Sequence, residues 1–378
     1  MPSLMEEIEN CEVVLCAGPG GVGKTTTSAA IAVAAARSGK KVLVLTIDPA
    51  KRLADALGVS LDNTARRIQP ETLEKNGIYA AGEIWALMLD AARTFDDLVQ
   101  RLAPDRATAE RLLNNVIYRH ISRSLAGTLE YTAVEKLYDL RDRFDYDLIV
   151  VDTPPSKNVL DFVESPEWLS KFFDERILKW FMLLDPKAPA GGFGQVLLKR
   201  TGRVVWEVMA RVFGHEFLGE ITEFMHALES MTVEFKSRAD ATGQLLRSPA
   251  SLFFIVATTD RFVLNDAVYL RTEIMRRGIS FGGFIINRVH PESGLAQPSL
   301  AAAAIRAAGA NDPAAERLAS KLVQACEEMD IKAREDREAV ERLRREANWD
   351  GYIAMLPEQP EELHDLVMLD RLAAVLAT

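Results

Sequence analysis

Gly18-Pro19-Gly20-Gly21-Val22-Gly23-Lys24-Thr25 follows directly on the apolar run Val13-Val14-Leu15 and leads into the alanine-rich stretch Thr25–Arg37. A strand, a glycine loop and a helix, in that order, are the context in which Gly-x-x-x-x-Gly-Lys-Thr binds a nucleotide. Glycines let the backbone curl until its N–H groups converge on phosphate oxygens, at the positive end of the helix that follows. Gly20, Gly21, Val22, Gly23, Lys24, Thr25 and Thr26 are therefore expected to hold the phosphates of ATP. Lys24 should reach the β- and γ-phosphates, and the Thr25 hydroxyl should coordinate Mg²⁺.

Two carboxylates point to the same chemistry. Leu148-Ile149-Val150-Val151-Asp152 reads as a buried strand ending in an acid, and continues into the stiff loop Thr153-Pro154-Pro155-Ser156. An aspartate at that place sits beside the glycine loop and touches Mg²⁺, directly or through water. Thr46-Ile47-Asp48-Pro49-Ala50 closes another strand, and parallel strands present ligands at their carboxyl ends. Asp48 is placed to orient or deprotonate an attacking water, which makes it, with Lys24, the catalytic candidate. Asp before Pro-Ala is also a good helix start, and the two roles are compatible.

Seven short apolar runs read as strands: Glu12–Ala17, Lys41–Ile47, Ile84–Leu89, Asp147–Asp152, Leu252–Ala257, Gly283–Asn287 and Tyr352–Leu356. Several are apolar at every position, which suits parallel strands covered on both faces. With helical patterns between them, the class is α/β, a mostly parallel sheet flanked by helices. Asp90–Arg143 and Phe162–Ser248 are too long for simple crossovers and read as helix, with breaks near Pro104, Asp185–Gly194 and Gly214. The second carries an apolar stripe from Trp206 to Phe235, spaced by three and four as on a wide amphipathic face. The expected organisation is a nucleotide-binding core over 1–89, a helical insertion over 90–143 and core again over 144–161. A helical subdomain then occupies 162–248, and the rest of the core 249–378. Asp312–Trp349 reads as a surface helix or helical hairpin, and Ala301–Ala310 as a helix or linker.

Gly-Gly-Val-Gly-Lys-Thr-Thr after a strand, Asp48-Pro49-Ala50 followed by Asp55-Ala56, and Asp152-Thr153-Pro154-Pro155-Ser156 followed by Leu160-x-Phe162 resemble two related groups. These are the arsenical pump-driving ATPases and the tail-anchored-protein-targeting ATPases. The partition and septum-site ATPases and the nitrogenase iron protein are more distant. Met88-Leu89-Asp90 and Gly127-Thr128-x-Glu130-Tyr131 are most similar to the actinobacterial-type branch labelled anion-transporting ATPase. The resemblance implies a nucleotide-bridged dimer that opens and closes with the ATP cycle, and it makes Asn287 the reader of adenine. Two departures stand out. The family's loop begins Gly-Lys-Gly-Gly, with a lysine that reaches the partner's nucleotide, whereas Pro19 has neither an ammonium group nor a backbone N–H. Arsenite-binding thiols and paired zinc cysteines have no counterparts among Cys11, Cys16 and Cys326.

A formal net charge of −10 over 378 residues argues against a nucleic-acid surface. No run approaches the ~20 apolar residues of a membrane span. The Met1–Asn10 stretch, with Glu6, Glu7 and Glu9, does not read as a secretory leader. Three scattered cysteines suit free thiols in a reducing compartment. A cytoplasmic protein is expected, with peripheral attachment to a membrane left open.

Three functions compete. The first is an ATPase handling a hydrophobic or membrane-protein client through its helices, because a methionine- and aromatic-rich stripe makes an adaptable apolar surface. The second is the energy-coupling subunit of an anion or metalloid exporter. The third is a partition-type ATPase, against which the acidic balance and the missing basic terminal helix weigh. The partner is a second copy or a paralogous ATPase whose lysine replaces the one absent at Pro19; Lys51-Arg52 is the internal substitute.

Overall fold

The uniformly apolar strands are apolar because both of their faces are covered. In the computed structural model, which describes residues 3–377 apart from 49, 51, 125–127, 155, 173–205, 213, 295–297, 309–312 and 360–365, β5 (Leu148–Asp152) is buried at every position. So is β1 (Val13–Ala17). With β2 (Lys41–Thr46), β3 (Arg66–Arg67), β4 (Glu83–Met88), β6 (Ser251–Ala257), β7 (Phe281–Val289) and β8 (Tyr352–Pro357) they form one eight-stranded sheet. Its order is β3-β4-β2-β5-β1-β6-β7-β8, and every pairing is parallel except β3 with β4.

Successive side chains of a strand point to opposite faces, and the core divides accordingly. Val14, Val44, Val150 and Phe254 join the cluster under α2 (Lys24–Arg37) and the C-terminal helix Leu366–Ala377. Leu15, Leu45, Val151 and Phe253 join the cluster on the other face. That face is covered by α8 (Thr128–Arg143), α9 (Ser156–Phe172), the helix Arg261–Arg276 and the end of the long helix Pro313–Ala347. The alanine-rich sequence of α2 has a physical reason: from Ala29 to Ala36 every side chain is buried, so small residues let the helix lie close to the sheet and to its helical neighbour.

A third cluster involves no strand. Here α5 (Ala91–Leu102), α6 (Arg106–Asn114), α7 (Val116–Ser124) and α8 meet α10 (His215–Arg247), around Phe95, Leu98, Tyr118, Phe224, Met231 and Phe235. A buried ion pair pins these helices together: Arg238 Nε donates to Glu135 Oε1 at 2.7 Å, and Arg101 lies 3.7 Å from the same oxygen. Burial raises the Glu135 carboxyl above its ordinary range, and the two arginines oppose that rise. Removing one partner from a buried pair of this kind costs on the order of 3–5 kcal/mol.

The seven expected strands are present, with bounds shifted by a residue or two. The eighth, β3, is a two-residue antiparallel addition with both residues exposed. The Trp206–Phe235 stripe is not one continuous helix, because Gly214 is the N-cap of α10 and separates it from a short helical stretch at 206–212. Its burial is divided as well. Phe224, Leu228, Met231 and Phe235 are core, whereas Val212 and Phe217 are 70% and 42% exposed. Phe213 and the expected break at 185–194 lie outside the described residues. The charged segment is one helix, Pro313–Ala347, rather than a hairpin, and the alanine-rich stretch before it is the helix Pro298–Ala308.

Candidate nucleotide site

Strand register brings the candidate residues together. β1 is central, with β5 on one side and β6 on the other; Cys16 pairs with Asp152, and Thr46 of β2 pairs with Asp152 from the far side. Three strand ends therefore lie level at the carboxyl edge of the sheet, where α/β proteins place their ligands.

The loop leaving β1 is shaped by two glycines. A Cβ on Gly18 would stand 2.1 Å from the Val256 carbonyl oxygen, so the chain passes β6 at a distance that only glycine permits. Gly23, at φ 95°, is the N-cap of α2 and brings no side chain to the first-turn N–H groups, which remain available to an anion. A Cβ there would stand 2.1 Å from Asn287 Nδ2. Gly20 and Gly21 are exposed and Val22 is buried.

Lys24 opens α2 and folds back, its Nζ donating to the carbonyls of Gly18 at 3.0 Å and Pro19 at 2.9 Å. Burial lowers its pKa, while the charges of Asp152 and Asp48 act to raise it. Thr25 Oγ1 donates to Asp152 Oδ2 at 2.7 Å, and Thr46 Oγ1 donates to the same oxygen at 2.9 Å. Thr26 is half-buried in the same first turn. Asp152 is 1% exposed, and its Oδ1 is buried with no hydrogen-bond partner among the described residues. Burial pushes its carboxyl up to about 6, against the two hydroxyls and Lys24, which act to lower it. A buried carboxylate oxygen without a partner, beside a threonine hydroxyl, is the donor chemistry that a hard divalent cation takes, so these residues fit Mg²⁺.

Asp48 follows β2, and its charge is felt by both Lys24 and Asp152. Its Oδ1 accepts from the Ala50 N–H at 2.9 Å, which caps the local turn; α3 (Arg52–Leu57) begins later. Asn287 is 5% exposed near the end of β7 and donates from Nδ2 to the Val22 carbonyl at 2.9 Å. The site thus gathers Lys24, Thr25, Asp48, Asp152 and Asn287. Thr46 joins them through its bond to Asp152, a role its own stretch of sequence does not announce. The signal for it, a hydroxyl closing an otherwise apolar strand, acquires meaning only once β2 is known to pair with β5.

A family model described as anion-transporting ATPase matches residues 11–304, most of the chain and all the residues just named. The chain belongs to that family. It is accordingly an ATPase, and its mostly parallel sheet flanked by helices is the α/β fold of a P-loop nucleotide hydrolase. Among its relatives is the protein named "Putative arsenical pump-driving ATPase 2" of Aquifex aeolicus, 28% identical over 73% of this chain and 79% of its own. The ATPase ARSA2 of Chlamydomonas reinhardtii is 25% identical over 77% of this chain and 72% of its own. The ATPase get3 of Aspergillus terreus is 31% identical over 42% of this chain and 44% of its own. Among the described residues no helix is long and apolar enough to cross a membrane.

Proposed function

We propose that the chain hydrolyses ATP with Mg²⁺ as a cytoplasmic dimer, and that the nucleotide cycle moves its helical layer to handle a hydrophobic or membrane-protein client. The observation that carries the ATP reading is the uncommitted, buried Oδ1 of Asp152 beside Thr25. Thr25 and Asp152 would hold Mg²⁺, whose charge neutralises phosphate oxygens when it is bound. Lys24 leaves the carbonyls of Gly18 and Pro19 and meets the β- and γ-phosphates. Asp48, on the same strand edge, orients the attacking water and accepts its proton. Asn287 keeps one amide hydrogen and its Oδ1 for the edge of adenine.

The client reading is supported by the divided stripe. Its C-terminal half is core, while Val208, Val212 and Phe217 expose an apolar surface on either side of Gly214. An apolar helix docks on anchors at such spacings. The alternative, an energy-coupling ATPase of an anion or metalloid exporter, draws on the name of the Aquifex relative. It is weakened by the thiols, since Cys11, Cys16 and Cys326 are all buried, and burial pushes Cys16 up to about 12.

Pro19 leaves the cation of a closing dimer to another residue. Arg52 is exposed, and its charge reaches Lys24, which makes it the internal candidate; Lys51 lies outside the described residues. A paralogous partner carrying the lysine is the other arrangement. Turnover of the purified chain, with and without an apolar transmembrane peptide, arsenite or antimonite, tests the functional reading. Stimulation by the peptide alone supports it, and stimulation by the metalloids alone replaces it with the exporter reading.

A further inference from the structure

Asn287 touches the loop that carries the phosphates. Its amide nitrogen donates to the Val22 carbonyl, and no atom larger than hydrogen fits on Gly23 above it. The peptide joining Val22 to Gly23 is trans, and in a trans peptide the C=O and the N–H point in opposite directions. Holding the Val22 carbonyl inward therefore turns the Gly23 N–H outward, toward the mouth of the loop. That N–H is one of the donors a phosphate meets at the start of α2.

The strand breaks its regular course at this contact. Ile285 packs on the α2 side of the sheet and Ile286 on the other, so alternation puts Asn287 back on the α2 side. Alternation would also put Val289 there, yet Val289 belongs to the opposite cluster. The difference is a bulge: the β7–β8 register shifts between Ile286 and Val289, and Arg288 takes φ 59°, rare for a residue with a side chain. The bulge ends the regular strand just after Asn287, leaves Arg288 exposed, and leaves Asn287 seated under the loop. Left-handed backbone at a non-glycine residue carries a cost, and such costs gather at functional sites.

We propose that Asn287 is a positioning residue for the phosphate loop, fixing the Val22–Gly23 peptide so that the loop is preorganised for a triphosphate whatever base is attached. The proposal rests on the reading of this site as an ATP site, and it adds to any contact with adenine. Its consequence is that Asn287 matters to ligands that have no base.

The test uses the full-length protein and two variants, Asn287→Ala and Asn287→Ser, the second in case the first folds poorly; melting without ligand shows which are sound. Binding of ATP and of tripolyphosphate, each with Mg²⁺, is measured by calorimetry. The proposal predicts that both weaken together, by about tenfold or more, as expected when a buried carbonyl loses its donor. Weaker ATP binding with unchanged tripolyphosphate binding would make Asn287 a base reader only and overturn the proposal. Amide hydrogen exchange of the nucleotide-free protein keeps this outcome separate from failure of the ATP reading itself. Faster exchange at residues 20–24 in the variants, with β7 unchanged, is the expected signature, and unchanged exchange there contradicts it. Should the sound wild-type protein bind neither ligand, the ATP reading fails, and the exchange result still decides the positioning role.

Discussion

Thr25 and Asp152, 127 positions apart, are joined by a 2.7 Å hydrogen bond from Oγ1 to Oδ2. One residue opens the helix after β1 and the other closes β5, so the bond exists only because those strands are neighbours in the sheet. Thr46 donates to the same oxygen from β2. Two hydroxyls fix the carboxylate's direction and leave Oδ1 as its one uncommitted oxygen.

That arrangement has a pH signature. The buried Asp152 carboxyl is raised from 3.8 to about 6, so between those values the folded protein holds a proton that the unfolded chain releases. The stability tied to this group is present below the unfolded value and is lost as pH rises through 6, by about 3 kcal/mol for a shift of that size. Asp152→Asn should therefore raise the melting temperature of the nucleotide-free protein at pH 7, with the gain shrinking by pH 5, while abolishing Mg²⁺-dependent hydrolysis. Calorimetric melts across that range check it. A variant that melts lower at pH 7 contradicts the account of Asp152.

Asp48 should separate binding from turnover. Asp48→Asn keeps an acceptor for the Ala50 N–H, so ATP affinity should stay near that of the wild type. Turnover should fall by ~10²–10⁴, the usual size of a positioning and base contribution. Parallel measurements of ATP binding and steady-state hydrolysis read both quantities. Collapse of affinity with turnover retained at saturation would make Asp48 structural or a metal ligand.

The two halves of the apolar stripe should respond differently. Val208→Asp and Val212→Asp alter side chains that are 56% and 70% exposed, and should leave the melting temperature and the basal rate unchanged. Stimulation by an apolar peptide should be lost in both. Phe235, fully buried and clustered with Met231 and Phe95, is core, and Phe235→Ala should cost about 3–5 kcal/mol. Peptide stimulation that survives both valine substitutions removes this surface as the docking site.

The glycine loop was legible because its residues are covalent neighbours whose chemistry depends on their spacing. Asp152 was legible because an acid at the end of Leu148–Val151 breaks an apolar run that only a buried strand explains. Thr46 was not, since its role comes from pairing with β5, which no local pattern in β2 records. Nor was the contact between Asn287 and Val22, which depends on where β7 lies relative to β1, with β6 between them. β3 is not legible in the sequence because its two arginines carry no apolar period; they are held by pairing with Trp85 and Ala86. Periodicity identifies the face from Trp206 to Phe235 as apolar, but periodicity does not say what covers a face, and among the described residues Phe217 stays 42% exposed while Phe224 is buried.

The central claim is that Mg²⁺ and ATP are held between the loop at 18–25 and Asp152 and are hydrolysed there. Lys24→Ala tests it most directly, since among the described residues Lys24 donates to two loop carbonyls and to no strand. The account predicts a variant that melts normally, binds ATP far more weakly and shows no hydrolysis above background. Turnover equal to that of the wild type would contradict it.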